Sequence, residues 1–94
     1  MIHYVLIDNF SGFVWGGADA ADPVAACAIL DKEVGGEPRK YEITRISNTT
    51  ESGYLVFEAP ADWLPVDDGQ SQDEIKRTLA LHKVAEVKTR MISD

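Results

Sequence analysis

Apolar and polar positions change period several times along this chain, and each change marks a predicted element. From Ile2 to Asp8 the residues form an almost continuous β-branched and aromatic run, which predicts a well-buried strand. Asp8, Asn9, Ser11 and Gly12 surround Phe10 with turn formers, and Gly12 can supply a positive φ. Phe13–Gly16 resumes as a second strand ended by Gly16 and Gly17, so a hairpin is expected. The next element has the clearest punctuation. Asp22 is placed to cap a helix, Pro23 sits at its first position, and Gly35 follows Val34 as a left-handed stop. Within Val24–Val34, the residues Cys27, Leu30 and Val34 fall at helical spacing and should face a sheet, together with Pro23 or Val24.

Glu37-Pro38-Arg39 is a connector, and Tyr41–Ile46 is a predicted strand. Its alternation is imperfect, because Tyr41 and Ile43 share one face and Ile46 takes the other, which a bulge or an end twist would reconcile. Residues 47–53 are a turn by composition, and Tyr54–Phe57 is a short strand closing a second hairpin. From Glu58 to Gln70 the chain reads as an irregular loop of unusual length for so small a domain. Ser71-Gln72-Asp73-Glu74 has the capping-box form that starts a helix, with Ile75, Leu79 and His82 on one face and Thr78 beside them. From Val84 the period changes again. Ala85, Val87, Thr89 and Met91 alternate with Glu86, Lys88, Arg90 and Ile92, which predicts a strand with one charged face; the rival is a helix running on to Met91.

The succession is ββαββαβ. Without its first strand it is the split-βαβ pattern of ferredoxin-like folds. The expected fold is therefore α+β: a two-layer ferredoxin-like sandwich with a mainly antiparallel sheet. Right-handed crossovers would place both helices on one face, and the first strand would be an added edge or an extra pairing partner. The 94 residues make one domain, 1–94. Apolar residues make up 45% of it and recur along nearly the whole chain, which speaks against disorder.

The stretch Tyr4-Val5-Leu6-Ile7-Asp8-Asn9-Phe10-Ser11-Gly12-Phe13-Val14-Trp15-Gly16, followed by Ala21-Asp22-Pro23-Val24-Ala25-Ala26, resembles the opening of a set of small uncharacterised bacterial proteins. The resemblance implies a bacterial source and no activity. The hairpin followed by a helix is also similar to HicB-type antitoxins. Their pattern expects an appended DNA-binding segment, which the sequence does not display, and no functional residue is carried over from them.

Charge narrows the choice of partner. Residues 1–31 hold four acidic side chains and no basic one, and between Arg45 and Lys76 there are seven acidic residues and again no basic one. The net charge of −7 argues against a nucleic-acid or anionic-membrane surface as partner. The basic residues Lys76, Arg77, Lys83, Lys88 and Arg90 make a local excess near the C-terminus without forming a continuous groove. The N-terminus lacks the basic region and long apolar run of a signal peptide, and no stretch is apolar enough to span a membrane, so a cytoplasmic location is expected.

Catalytic signatures are missing from the sequence. Cys27 is the single cysteine, read as a small core residue, with a nucleophile as its rival. His3 and His82 belong to no ligand pair at metal spacing and read as packing or capping residues. There is no phosphate-binding glycine loop and no dinucleotide fingerprint. Glu58, Asp62, Asp67, Asp68, Asp73 and Glu74 lack the spacing of a calcium loop, so no metal and no cofactor is expected. The remaining candidates are surface features. Phe10, Trp15 and Trp63, with Asp62, Asp67 and Asp68, have the composition of a protein-binding patch, aromatics rimmed by charge. Trp63 has a second reading, as a lid folded back to anchor its loop. The expected function is a protein-interaction or regulatory module acting by binding, its partner another protein or a second copy of itself. Two alternatives stand beside it. One is a small-molecule-binding or enzymatic ferredoxin-like dimer with a pocket lined by Tyr4, Tyr41, Tyr54 and a histidine. The other is an acidic DNA-mimic inhibitor of the phage or plasmid counter-defence type.

Overall fold

In the computed structural model, which describes residues 1–35 and 39–92, the elements follow the predicted ββαββαβ succession: β1 (Ile2–Asp8), β2 (Val14–Ala20), α1 (Pro23–Val34), β3 (Arg39–Ile43), β4 (Gly53–Ala59), α2 (Gln72–Leu79) and β5 (His82–Met91). Gly36, Glu37 and Pro38 of the predicted connector lie outside the described residues. The strands form one antiparallel sheet in the order β2-β1-β4-β5-β3. This is α+β, but it is not the ferredoxin-like arrangement. β1 is no edge: it lies between β2 and β4. The second hairpin does not form either, because β5 separates β3 from β4.

Burial explains the reordering. β1 and β4 carry the longest apolar runs, with Val5, Leu6 and Val56 fully buried, so they take interior positions. β3 reads Arg-Lys-Tyr-Glu-Ile, and its charges suit an edge that must resist further pairing. β2 is rich in Gly and Ala and forms the other edge. It does not stop at Gly16-Gly17, because these glycines admit close neighbours. A Cβ on Gly16 would lie 3.3 Å from Leu30 of α1, and one on Gly17 would lie 3.3 Å from the His3 ring.

α1 forms as its punctuation predicts. The Asp22 carboxylate accepts from the Ala25 N–H at 2.8 Å, Pro23 opens the helix, and Gly35 closes it at φ 79°. α1 crosses one face of the sheet from β2 to β3, burying Ala26, Cys27 and Leu30 against Tyr4, Leu6, Tyr54, Val56 and Val87. Val34, expected to face the sheet, is instead 64% exposed at the end of the helix. Strand alternation sends Val5, Ile7 and Phe57, all buried, to the opposite face. α2 packs on β1 and β2, whose first face is already occupied by α1. The two helices therefore lie on opposite faces, not together. The reason is that β1 and β4 are apolar on both sides, and each side needs a cover.

The ends of α2 also differ from expectation. It buries Glu74 and Thr78, while Leu79 is exposed, and His82 begins β5 opposite Glu58 rather than ending the helix. The final strand predicted from Val84 is present and starts two residues earlier, so the helical rival is excluded. β3 ends at Ile43, before the expected Ile46. Two bulges interrupt the ladders: Trp15 is the extra residue where Leu6–Gly16 pairing gives way to Ile7–Val14, and Val84 is the extra residue between Val56–Ala85 and Phe57–Lys83.

The turns at one end of the sheet are tied together. The Asn9 side-chain amide donates to the carbonyls of Asn48 and Glu51 at 3.0 and 2.9 Å. The Ile46 N–H donates to Glu86 at 3.1 Å and holds that carboxyl below its usual pKa range. Beside them a Cβ on Gly53 would stand 2.5 Å from the Val87 carbonyl oxygen and 2.9 Å from Ile46 Cδ1. Gly53→Ala should therefore force the β4–β5 ladder apart and destabilise the protein by about 2 kcal/mol in urea unfolding. An unchanged midpoint would show that the strands open there without cost.

Candidate functional site

The structure distributes the predicted interaction residues over two faces. Phe10 lies in the β1–β2 turn and is 68% exposed. Trp15, the bulge residue of β2, turns toward the α1 side and rests against Tyr54, with ring centroids 6.3 Å apart. Trp63 belongs with α2 instead. Its ring carries the Arg77 guanidinium 4.2 Å from the centroid, and Arg77 Nη1 donates to the fully buried Glu74 at 3.0 Å. Glu74 also accepts from the Val66 N–H, and the Gly69 carbonyl accepts from the Val14 N–H at 2.9 Å. These bonds fasten the long loop to α2 and to the edge of β2, so Trp63 is an anchor for its own loop. Asp62, Asp67 and Asp68 are exposed. Asp68 receives the Gln70 N–H at 2.8 Å, and Asp67 receives the Ser71 hydroxyl at 3.4 Å, both as local turn bonds. Among the described residues no three His, Cys, Asp or Glu side chains group as metal ligands.

A second cluster lies where the C-terminal half of α1 meets β3 and β4. Asp31 projects from the helix between two tyrosines, Tyr41 of β3 and Tyr54 of β4, and each phenol donates to one of its oxygens at 2.5 Å. Beside this clamp a cavity of about 200 Å³ is lined by Asp8, Trp15, Asp31, Val34, Arg39 and Tyr54. Asp8 is oriented by the Ser11 N–H at 3.0 Å. Burial pushes the phenols of Tyr41 and Tyr54 well above their ordinary range, and the bonds to Asp31 push them further. They are neutral donors at physiological pH. Tyr4, buried on the same face in the core, is also raised, mainly by desolvation. Cys27, one helical turn before Asp31, is fully buried, and desolvation pushes its thiol up to about 12, which makes it a packing group and not a nucleophile.

Two of the three tyrosines expected to line a pocket therefore meet at one carboxylate, while no histidine joins them. His3 Nδ1 pairs with Asp19 Oδ1 at 2.8 Å across β1 and β2, and His82 is exposed. Sequence reasoning missed Asp31, Asp8 and Arg39. The available signal was the register of α1: Asp31 follows Cys27 by four residues, so it continues the buried stripe of the helix.

The raised phenols set an alkaline limit. Each is bound protonated in the fold, and its unfolded value is about 10. Their contribution to stability is complete below about pH 10 and declines as pH rises above it. All three tyrosines of the chain are raised, so tyrosinate absorbance should appear only together with the loss of far-ultraviolet circular dichroism. Ionisation of Tyr41 or Tyr54 near pH 10 in a folded chain would contradict the clamp.

On the other face, Arg77→Ala removes the cation beside buried Glu74 and should destabilise the protein by about 3 kcal/mol. Trp63→Ala, which removes only the stacked ring, should cost about 1 kcal/mol. Equal losses in urea unfolding would show that the carboxylate does not depend on Arg77.

No protein family matches the chain, and comparison with curated proteins and with solved structures gives no match.

Proposed function

We propose that this protein is a small interaction module that works by binding another protein or a second copy of itself. The observation that supports this is the exposure of aromatic side chains around the β1–β2 turn. Phe10, Phe13 and Trp15 are 68%, 39% and 43% exposed, although the turn itself needs only polar residues and glycine. Val34, 64% exposed, borders the same corner next to Trp15. Exposed aromatics beside Asp8 and Arg39 give this corner an apolar centre with a charged rim, the make-up of a protein-binding surface. The acidic loop contributes less to the reading than its composition implies, because Trp63 and Glu74 are engaged in holding it down. No helix among the described residues is long and apolar enough to cross a membrane.

The test is light scattering on the purified protein, joined to affinity capture with matched variants. Phe10→Ser and Trp15→Ala should weaken association at least tenfold, the effect of losing about 1.4 kcal/mol of contact energy. Leu64→Ser, at an exposed site in the loop beside α2, should leave it unchanged. Association that survives both turn variants places the interface elsewhere.

A further inference from the structure

The cavity beside the Asp31 clamp has features that a protein–protein surface does not require. It is lined by two carboxylates, Asp8 and Asp31, and by one guanidinium, Arg39. Yet among the described residues Arg39 forms no ion pair with either carboxylate. Its charge is nonetheless near enough to Tyr54 to act against the upward shift of that phenol, as Asp8 acts with it. Opposite charges thus line one small space without touching.

We infer that this cavity binds a free amino acid, with the ligand's ammonium held by Asp31 and Asp8 and its carboxylate by Arg39. The chemistry of the walls selects this class. A simple anion would meet two carboxylates, and a simple cation would meet the guanidinium; a zwitterion satisfies both poles. Each Asp31 oxygen accepts one tyrosine hydroxyl and retains a second lone pair for an N–H donor. Because Tyr41, Tyr54 and the Ser11 N–H already orient the two carboxylates, little side-chain freedom is lost on binding. The site also adjoins the C-terminal end of α1, where the helix dipole favours a cation. Trp15, tilted 37° on Tyr54 and 43% exposed, offers its ring to the ammonium, and Val34 offers an apolar wall to the ligand's side chain. The volume, about 200 Å³, is below the roughly 300 Å³ at which pockets for drug-sized ligands begin.

The cavity shares Trp15, Val34, Asp8 and Arg39 with the corner proposed to bind a protein, but it needs no protein partner, and one experiment separates the two readings. The ¹⁵N-labelled 94-residue chain is titrated with glycine, alanine and leucine, and with propylamine and propionate as ligands of one pole each. At least one amino acid should shift the Trp15 indole N–H saturably, while the Trp63 indole beside α2 stays in place. Each one-pole control should bind at least tenfold more weakly. Asp8→Asn and Arg39→Ala, both of which leave the Asp31 clamp intact, should each weaken binding by roughly tenfold, the typical effect of one charge-assisted hydrogen bond. Phe10→Ser, which disables the proposed protein surface, should leave the titration unchanged. Absence of saturation with every amino acid, propylamine binding as tightly as the amino acids, or affinity unaltered in both charge variants would each overturn the proposal.

Discussion

The constraint on which this fold depends is that β1 is apolar on both sides. Successive side chains of a strand point to opposite faces, yet Tyr4, Val5, Leu6 and Ile7 are all buried. A strand of that kind cannot lie at an edge, and it cannot leave either face open. It needs a neighbour along each edge, supplied by β2 and β4, and a layer over each face, supplied by α1 on one side and by α2 with its loop on the other. Each buried aliphatic side chain contributes about 1.5–3 kcal/mol, so the arrangement that covers all of them outweighs the local preference for a second hairpin.

Much of this was legible in the sequence at the level of elements. The Asp22 cap, Pro23 and Gly35 marked α1, and the charged–apolar alternation after Val84 marked β5. These are local signals, and local signals decided where the elements lie. The spatial order was not legible, because it depends on which strands compete best for the centre of the sheet. The turn-rich segment 47–53 looked like a hairpin connection between two strands that do not pair. The tyrosine clamp escaped notice for a related reason. Asp31, Tyr41 and Tyr54 come from three elements brought together only by α1 crossing the sheet, and no sequence spacing records that meeting. The bulge at Trp15 was equally hidden. It re-aims one aromatic by a single position and so decides that Trp15 faces Tyr54 and the cavity.

The two anchored carboxylates show how the same residue type serves different ends. Glu74 is fully buried, and its oxygens are taken up by Arg77 and by the Val66 N–H, so it acts as a fastener. Asp31 is partly exposed and held by neutral phenols, which orient it without neutralising it. A carboxylate that is positioned but not charge-compensated is suited to meet an external cation. That difference is why the corner near Asp31, and not the acid-rich loop, carries the chemistry proposed above.

The pairing of β1 with both its hairpin partner and β4 also orders events in time. β2 is the next strand in the chain and can join β1 at once, but β4 lies half the chain away. During synthesis the first hairpin therefore emerges with one long apolar edge bare, and that edge stays bare until Tyr54–Ala59 has been made and has cleared the ribosome. Closure over that distance loses considerable chain entropy before its contacts form, so topology alone sets a slow step in folding. In that interval the exposed edge of β1 is the part of the nascent chain most open to pairing with the wrong strand.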